Sequence, residues 1–257
     1  MIRDEDLLRP EWSHHPFVQA FTSTRMGGIS APPFHSLNLG LYAGDDVETV
    51  LHNRSLLKTH LPGEPIWLKQ IHGNVVSTPQ TRIINSSGLI EADAAVTNIP
   101  HEVLAILTAD CMPVLFSANH GEVIGAAHAG WRGLSNHVLE NTIAAMLDLS
   151  SQLSPKDINV WMGPAIGPKR FEVGQDVVDA FYGHQASAPE GAFIGISNKP
   201  NKYWADLYLL ARHRLSIAGV QDIEGGGFCT YDDGRFYSYR RDGLTGRFAS
   251  MIWINPN

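Results

Sequence analysis

Three side chains offer the clearest chemistry in the sequence: the thiol of Cys111 and the imidazoles of His72 and His128. Two imidazole nitrogens and one thiolate suit Zn²⁺. Three protein ligands leave the fourth tetrahedral position to water or substrate, as in catalytic zinc, whereas structural zinc takes four protein ligands. The metal would also hold the thiol deprotonated. No compact C-x-x-C or H-E-x-x-H signature is present, so the fold itself must bring the three together. The alternative reading makes Cys111 a small buried hydrophobe and both histidines hydrogen-bonded loop residues.

Asp110 precedes Cys111, and Asp93 sits in Glu91-Ala92-Asp93-Ala94. Either could orient a ligand histidine or carry a proton; either could equally be a turn or cap aspartate. Arg25, in Thr24-Arg25-Met26-Gly27-Gly28, and Arg240 and Arg241, on a loop that also carries Arg247, are candidates for gathering a phosphate or carboxylate. Arg241 with Asp242 could instead be a surface pair. Gly130-Trp131-Arg132-Gly133 leads from His128 into a helix whose start could hold an anion; an ordinary strand-to-helix connection explains it as well. Cys229 follows Gly225-Gly226-Gly227 outside any strand–glycine–helix context and reads as structural.

The elements that must position these residues follow from local pattern. Asp45-Asp46-Val47-Glu48 reads as a capping box opening a helix that Pro62 ends. Helical spacing predicts further helices over 134–149, from about 175, and over 203–218, with Gly219 as the left-handed C-terminal residue. β-rich runs cover 66–71, 74–77, 103–108, 113–117, 122–127, 157–162, 235–239 and 248–254. Short connections at His72-Gly73, at 118–121 and at 242–246 favour antiparallel hairpins. Strand 103–108 rising, 113–117 descending and 122–127 rising again would place Cys111 and His128 at one end of a sheet. A hairpin tip would add His72. Strands mixed with a few helices predict a single-domain α+β sandwich over residues 1–257, with a mixed, mostly antiparallel sheet and flanking helices.

Composition narrows the partners. Of the 257 residues, 44% are hydrophobic and 18% charged, with a net charge of -7. That suits a globular chain and lacks the basic face that broad nucleic-acid binding requires. The run 103–116, interrupted by Asp110, is too short to span a membrane. The acidic N-terminus lacks a signal-peptide layout, and two cysteines form no disulfide framework, so a cytoplasmic location is expected. The oligomeric state is not legible.

Several longer runs resemble one known family. They are Thr24-Arg25-Met26-Gly27-Gly28-Ile29-Ser30, Ser36-Leu37-Asn38-Leu39-Gly40, Lys69-Gln70-Ile71-His72-Gly73, Thr108-Ala109-Asp110-Cys111-Met112-Pro113, Ala127-His128-Ala129-Gly130-Trp131-Arg132-Gly133, Gly163-Pro164-Ala165-Ile166-Gly167-Pro168 and Tyr239-Arg240-Arg241-Asp242-Gly243. In order along nearly the whole chain, they resemble the YfiH, laccase-domain or peptidoglycan editing factor family. The resemblance implies a zinc site at His72, Cys111 and His128. It also implies purine nucleoside phosphorolysis, with adenosine, inosine and methylthioadenosine as substrates, and an adenosine deaminase activity. Copper-dependent polyphenol oxidation travels with the family as an older assignment. Lys169 and Arg170 stand where many members carry cysteines.

Three other readings remain at this point. A metal-free hydrolase would use Cys111 as nucleophile and His128 as base; the family's fold is similar to that of a cysteine-dependent toxin deamidase. A copper oxidase would require more clustered histidines than His14-His15 supplies. A non-enzymatic or peptidoglycan-editing role would show no nucleoside turnover.

Overall fold

The structure, a computed structural model, describes residues 2–10, 17–84, 90–118, 121–182 and 188–255. His14-His15, and Asn119-His120 of the expected turn over 118–121, lie outside them.

Two six-stranded sheets carry the architecture. The first runs β1 (Leu7–Leu8), β2 (Val18–Ser23), β15 (Phe248–Ile254), β7 (Val103–Thr108), β3 (Pro65–Lys69) and β5 (Ile90–Glu91). The second runs β14 (Asp222–Gly225), β10 (Ile158–Met162), β8 (Met112–Ala118), β9 (Ile124–Ala129), β6 (Ala94–Thr97) and β4 (Val76–Ser77). A small third sheet joins β11 (Glu172–Gly174), β13 (Lys202–Ala205) and β12 (Phe193–Gly195). Most pairings are antiparallel; β3–β5, β3–β7, β4–β6 and β10–β14 are parallel. The helices are α1 (Val47–Lys58), α2 (Pro79–Ile84), α3 (Trp131–Ser135), α4 (Val138–Leu149), α5 (Gln175–Tyr182), α6 (Leu207–Ile217) and α7 (Tyr239–Asp242). The result is the α+β sandwich that the sequence predicts.

Side-chain alternation builds the layers. Leu104, Ile106, Ile252 and Ile254 of the first sheet meet Leu115, Ile124, Ala126 and Trp161 of the second in one buried cluster between the sheets. The other face of the first sheet carries Ala105, Met251 and Trp253 and packs against Leu57 of α1 with Leu37 and Leu39. The far face of the second sheet, with Val114, Phe116 and Val160, is covered by residues of α4, α5 and α6.

Several local expectations are corrected. Strands β7 and β8 are not a hairpin: they lie in different sheets, and residues 109–111 cross between them. Stacked sheets lie about 10 Å apart, a gap three extended residues span, so a short connection can bridge sheets as easily as reverse a strand. The segment around His72 is likewise a crossing from β3 to β4, not a hairpin tip. Strands β8 and β9 do pair antiparallel. Residues 235–239 form no strand; Phe236 packs against Phe228 and Phe248, and the Tyr237 hydroxyl donates to the Phe34 carbonyl. The helix expected over 134–149 is broken at His137, which is left-handed at φ 67°. Residues 202–205 are strand, and Asp206 caps α6 by accepting from the Leu209 N–H. Asp46 caps α1 through Thr49, while Asp45 instead accepts from Ser30 and Asn38. Gly219 is left-handed as expected, at φ 94°.

Candidate metal centre

Cys111 lies where the first crossing enters the second sheet, one residue before β8. The β8–β9 register sets Pro113 opposite His128 and Met112 opposite Ala129. His128 shares the face of β9 that carries Ile124 and Ala126, the face turned toward the first sheet. It therefore stands at the end of the intersheet layer, beside the crossing. His72 sits on the second crossing at φ 60°. Its ring meets the His128 ring edge-on at 4.7 Å. One donor atom from each of His72, Cys111 and His128 falls within 4.8 Å of the others.

Asp93, fully buried, ties the pieces together. Its Oδ1 accepts from the His72 N–H at 2.9 Å, and its Oδ2 accepts from the N–H groups of Gly73 at 2.7 Å and Ile71 at 3.1 Å. Oδ1 also meets His128 Nδ1 at 2.8 Å. An ionised carboxylate can only accept, so Nδ1 carries the proton and Nε2 is left for the cluster. Burial alone would raise the Asp93 carboxyl; the hydrogen bond and charge of His128 and the amides of Gly73 and Ile71 overcome it and hold the group below the ordinary aspartate range.

The thiol and imidazole polarise each other. Burial pushes the Cys111 thiol up, but the charge and hydrogen bonds of His128 and His72 bring it down to about 6. Burial pushes His128 down, but Cys111 and Asp93 raise it to about 9. Each group thus favours the charged form of the other. His128 is buried, Cys111 half-buried and His72 exposed, so the cluster opens on the His72 side. Gly130 passes close behind it: a Cβ there would lie 2.9 Å from Cys111 Sγ and 3.3 Å from His72 Cδ2. The chain needs glycine at 130 for its backbone to approach the donors this closely.

The remaining candidates divide by occupation. Asp110, left-handed at φ 97°, does not reach toward a histidine. Its Oδ1 accepts from the Thr230 hydroxyl and its Oδ2 from the Arg240 N–H, each at 2.6 Å. It therefore fastens the 230–240 loop to the crossing that presents Cys111. Arg241 grips Asp242 with Nε and Nη2 and donates to the carbonyls of Thr230, Tyr231 and Phe236, which consumes its guanidinium in holding that loop. Arg25 donates Nε to the His35 carbonyl and lies over the Tyr237 ring. Arg240 is exposed; it lines a groove with Arg170, Glu172, Trp204 and Tyr231, and donates to the Glu172 carbonyl. Arg247 is the arginine whose position the sequence left unranked. Only the register of β15 against β7, which sets Phe248 opposite Thr108, shows that it stands across from the start of the Cys111 crossing.

The donor set suits a metal. Two imidazoles and a thiolate face one point, the tautomer of His128 is set by Asp93, and an approach from solvent remains. Fold and site together define an α+β sandwich in which two crossings between stacked sheets create a His-Cys-His centre able to hold a metal ion. The chain belongs to the family described as multi-copper polyphenol oxidoreductase laccase, whose model matches residues 19–255. It is 46% identical over 251 residues to "Purine nucleoside phosphorylase YfiH" of Escherichia coli strain K12, covering 96% of this chain and 98% of that protein. It is 45% identical over 249 residues to "Purine nucleoside phosphorylase PA4543" of Pseudomonas aeruginosa, with the same coverage. Among solved structures, the Neisseria meningitidis protein NMB0706 superposes with a TM-score of 0.89 at 42% identity, over 98% of this chain and 100% of that one. YlmD from Geobacillus stearothermophilus superposes with a TM-score of 0.89 at 29% identity, over 100% of this chain and 98% of that one.

Proposed function

We propose that this chain, acting as one domain over residues 1–257, is a zinc-dependent purine nucleoside phosphorylase that also deaminates adenosine. Its substrates are adenosine, inosine and methylthioadenosine with phosphate. The observation that carries the reading is the convergence of His72, Cys111 and His128, braced by Asp93, in a chain nearly half identical over its full length to relatives of that name.

In phosphorolysis a phosphate oxygen bonds to the anomeric carbon as the bond from that carbon to the purine nitrogen breaks. The electron pair leaves with the base, which must be stabilised or protonated. Zinc, held by His72, Cys111 and His128, would supply Lewis acidity and would activate water for deamination. Asp93 holds the His128 ring and the His72 backbone in place and stays ionised while it does so. Asp110 keeps the arginine loop against the Cys111 crossing, with Arg240 bonded to it through its N–H, and Arg25 lies over Tyr237 of the preceding segment. The expected result is one zinc per chain and release of hypoxanthine from inosine only when phosphate is present. Metal-free protein with full activity would sink the zinc assignment.

One observation favours a second reading. Cys111, His128 and Asp93 line up as nucleophile, base and orienting carboxylate. His72, a third donor on the same point, is superfluous to such a hydrolase and fits a metal. Alkylation separates the two. Because the thiol is held at about 6, its thiolate fraction should rise as pH passes 6, well below an ordinary cysteine. Iodoacetamide should label Cys111 in metal-free protein with that midpoint, and added zinc should suppress labelling. Labelling indifferent to zinc would favour the hydrolase. Among the described residues one group of three metal donors is present, at His72, Cys111 and His128.

A further inference from the structure

The arginines near the Cys111 crossing divide by how their charge is answered: Arg25, Arg240 and Arg247 donate to carbonyls, while others pair with carboxylates. Arg170 pairs with Asp232, Arg235 with Asp233 and Arg241 with Asp242. Among the described residues Arg247 forms no ion pair. Its Nη1 donates to the carbonyls of Thr245 and Gly246, each at 2.9 Å, and its backbone N–H donates to Asn38 Oδ1. The stem is pinned as well: a Cβ on Gly40 would lie 2.8 Å from Arg247 Cγ. The side chain is thus half-buried and held from two sides, with N–H groups left over.

Its location is set by the sheet. Phe248 pairs with Thr108, so Arg247 faces the point where β7 runs out into Ala109-Asp110-Cys111. Burial lowers the Arg247 guanidinium from the ordinary arginine range, and the negative charges of Cys111, Asp110 and Tyr239 partly oppose that. Asp110 is hydrogen-bonded to Thr230 and Arg240 and makes no ion pair with Arg247. A cation kept half out of water, preorganised, set across from the start of the Cys111 crossing and without an ion pair of its own is suited to an anion from solution. The planar fork of a guanidinium matches a tetrahedral oxyanion through paired hydrogen bonds, which an ammonium cannot reproduce.

We infer that Arg247 binds the phosphate co-substrate at the Cys111 end of the intersheet layer. This rests on the phosphorylase reading for the word co-substrate, while the anion site itself rests on the position of Arg247. Arg240, on the loop fastened by Asp110, lies farther out and is exposed.

Arg247→Lys and Arg247→Gln test it, the first keeping the charge so that folding is preserved. Binding of inorganic phosphate is read by isothermal titration calorimetry, alongside steady-state inosine cleavage, zinc content and thermal melting. Wild-type protein is expected to bind phosphate. Both variants should bind it at least about tenfold more weakly, the loss expected for a charge-assisted pair of hydrogen bonds. The KM for phosphate should rise by a similar factor, with the KM for inosine and the zinc content unchanged. Variants that bind phosphate as wild type does, in a protein that cleaves inosine, overturn the role of Arg247 and leave the phosphorylase reading standing. So does a loss of phosphate binding that comes only with loss of zinc or of the fold in Arg247→Lys. Wild-type protein that binds phosphate through Arg247 and releases no hypoxanthine overturns the phosphorylase reading and leaves the anion site standing.

Discussion

Two histidine-containing clusters among the described residues are built on opposite principles. At the first, Cys111, His72 and His128 turn their donor atoms toward a single point. At the second, Arg214, almost wholly buried on α6, donates to Glu140 Oε1 at 2.7 Å and bonds His137 at the start of α4. There the cation answers one carboxylate oxygen and the imidazole in place, Glu140 Oε2 is left buried without a hydrogen bond, and the cluster staples two helices. In the metal centre the carboxylate, Asp93, stands behind one imidazole and leaves the front of the cluster unanswered by protein. The presence of histidine beside a carboxylate does not distinguish chemistry from scaffold. The direction in which lone pairs are left free does.

Substitution should separate the two clusters sharply. The largest effect is expected at Cys111→Ala: bound metal, measured by atomic absorption, should fall from one equivalent to background, and phosphorolysis with it, while the fold by circular dichroism persists. Retained metal at one equivalent would mean that the thiol is not a ligand. Asp93→Asn should cost roughly 10–100-fold in metal affinity or activity, the range for groups that orient a ligand histidine. An unchanged affinity in a chelator competition would show that the backbone alone positions His72 and His128. Arg214→Met is the counterpart. It leaves Glu140 partly buried without its cation and should lower unfolding free energy by about 3 kcal/mol in denaturant titration. Turnover per folded molecule should not change; a fall in kcat would erase the distinction drawn here.

Metal affinity itself should climb as pH rises from 7 toward about 9, since His128 keeps its Nε2 proton to about 9 and must release it to bind. The Cys111 thiol is already ionised across that range and adds little to the slope.

Much of the local structure is legible in sequence. Strands 103–108 and 248–254 are apolar runs, and Asp46 and Gly219 mark helix ends through a side-chain acceptor and a left-handed backbone. The types of Cys111, His72 and His128 state which chemistry they could share. Those signals are local: they depend on the side-chain period of 2 or 3.6 and on the dihedral freedom of single residues. Which sheet a strand joins is not local. The three residues 109–111 are as compatible with a reversal as with a step between sheets, and only packing of the intersheet layer chooses the step. That choice also spent Asp110 on Thr230 and Arg240, occupied Arg241 within its own loop and set Arg247 across from the Cys111 crossing. Residue type, and thus potential chemistry, is written in the chain; the aim of each lone pair and the neighbour that neutralises each charge are settled by contacts between residues far apart along it.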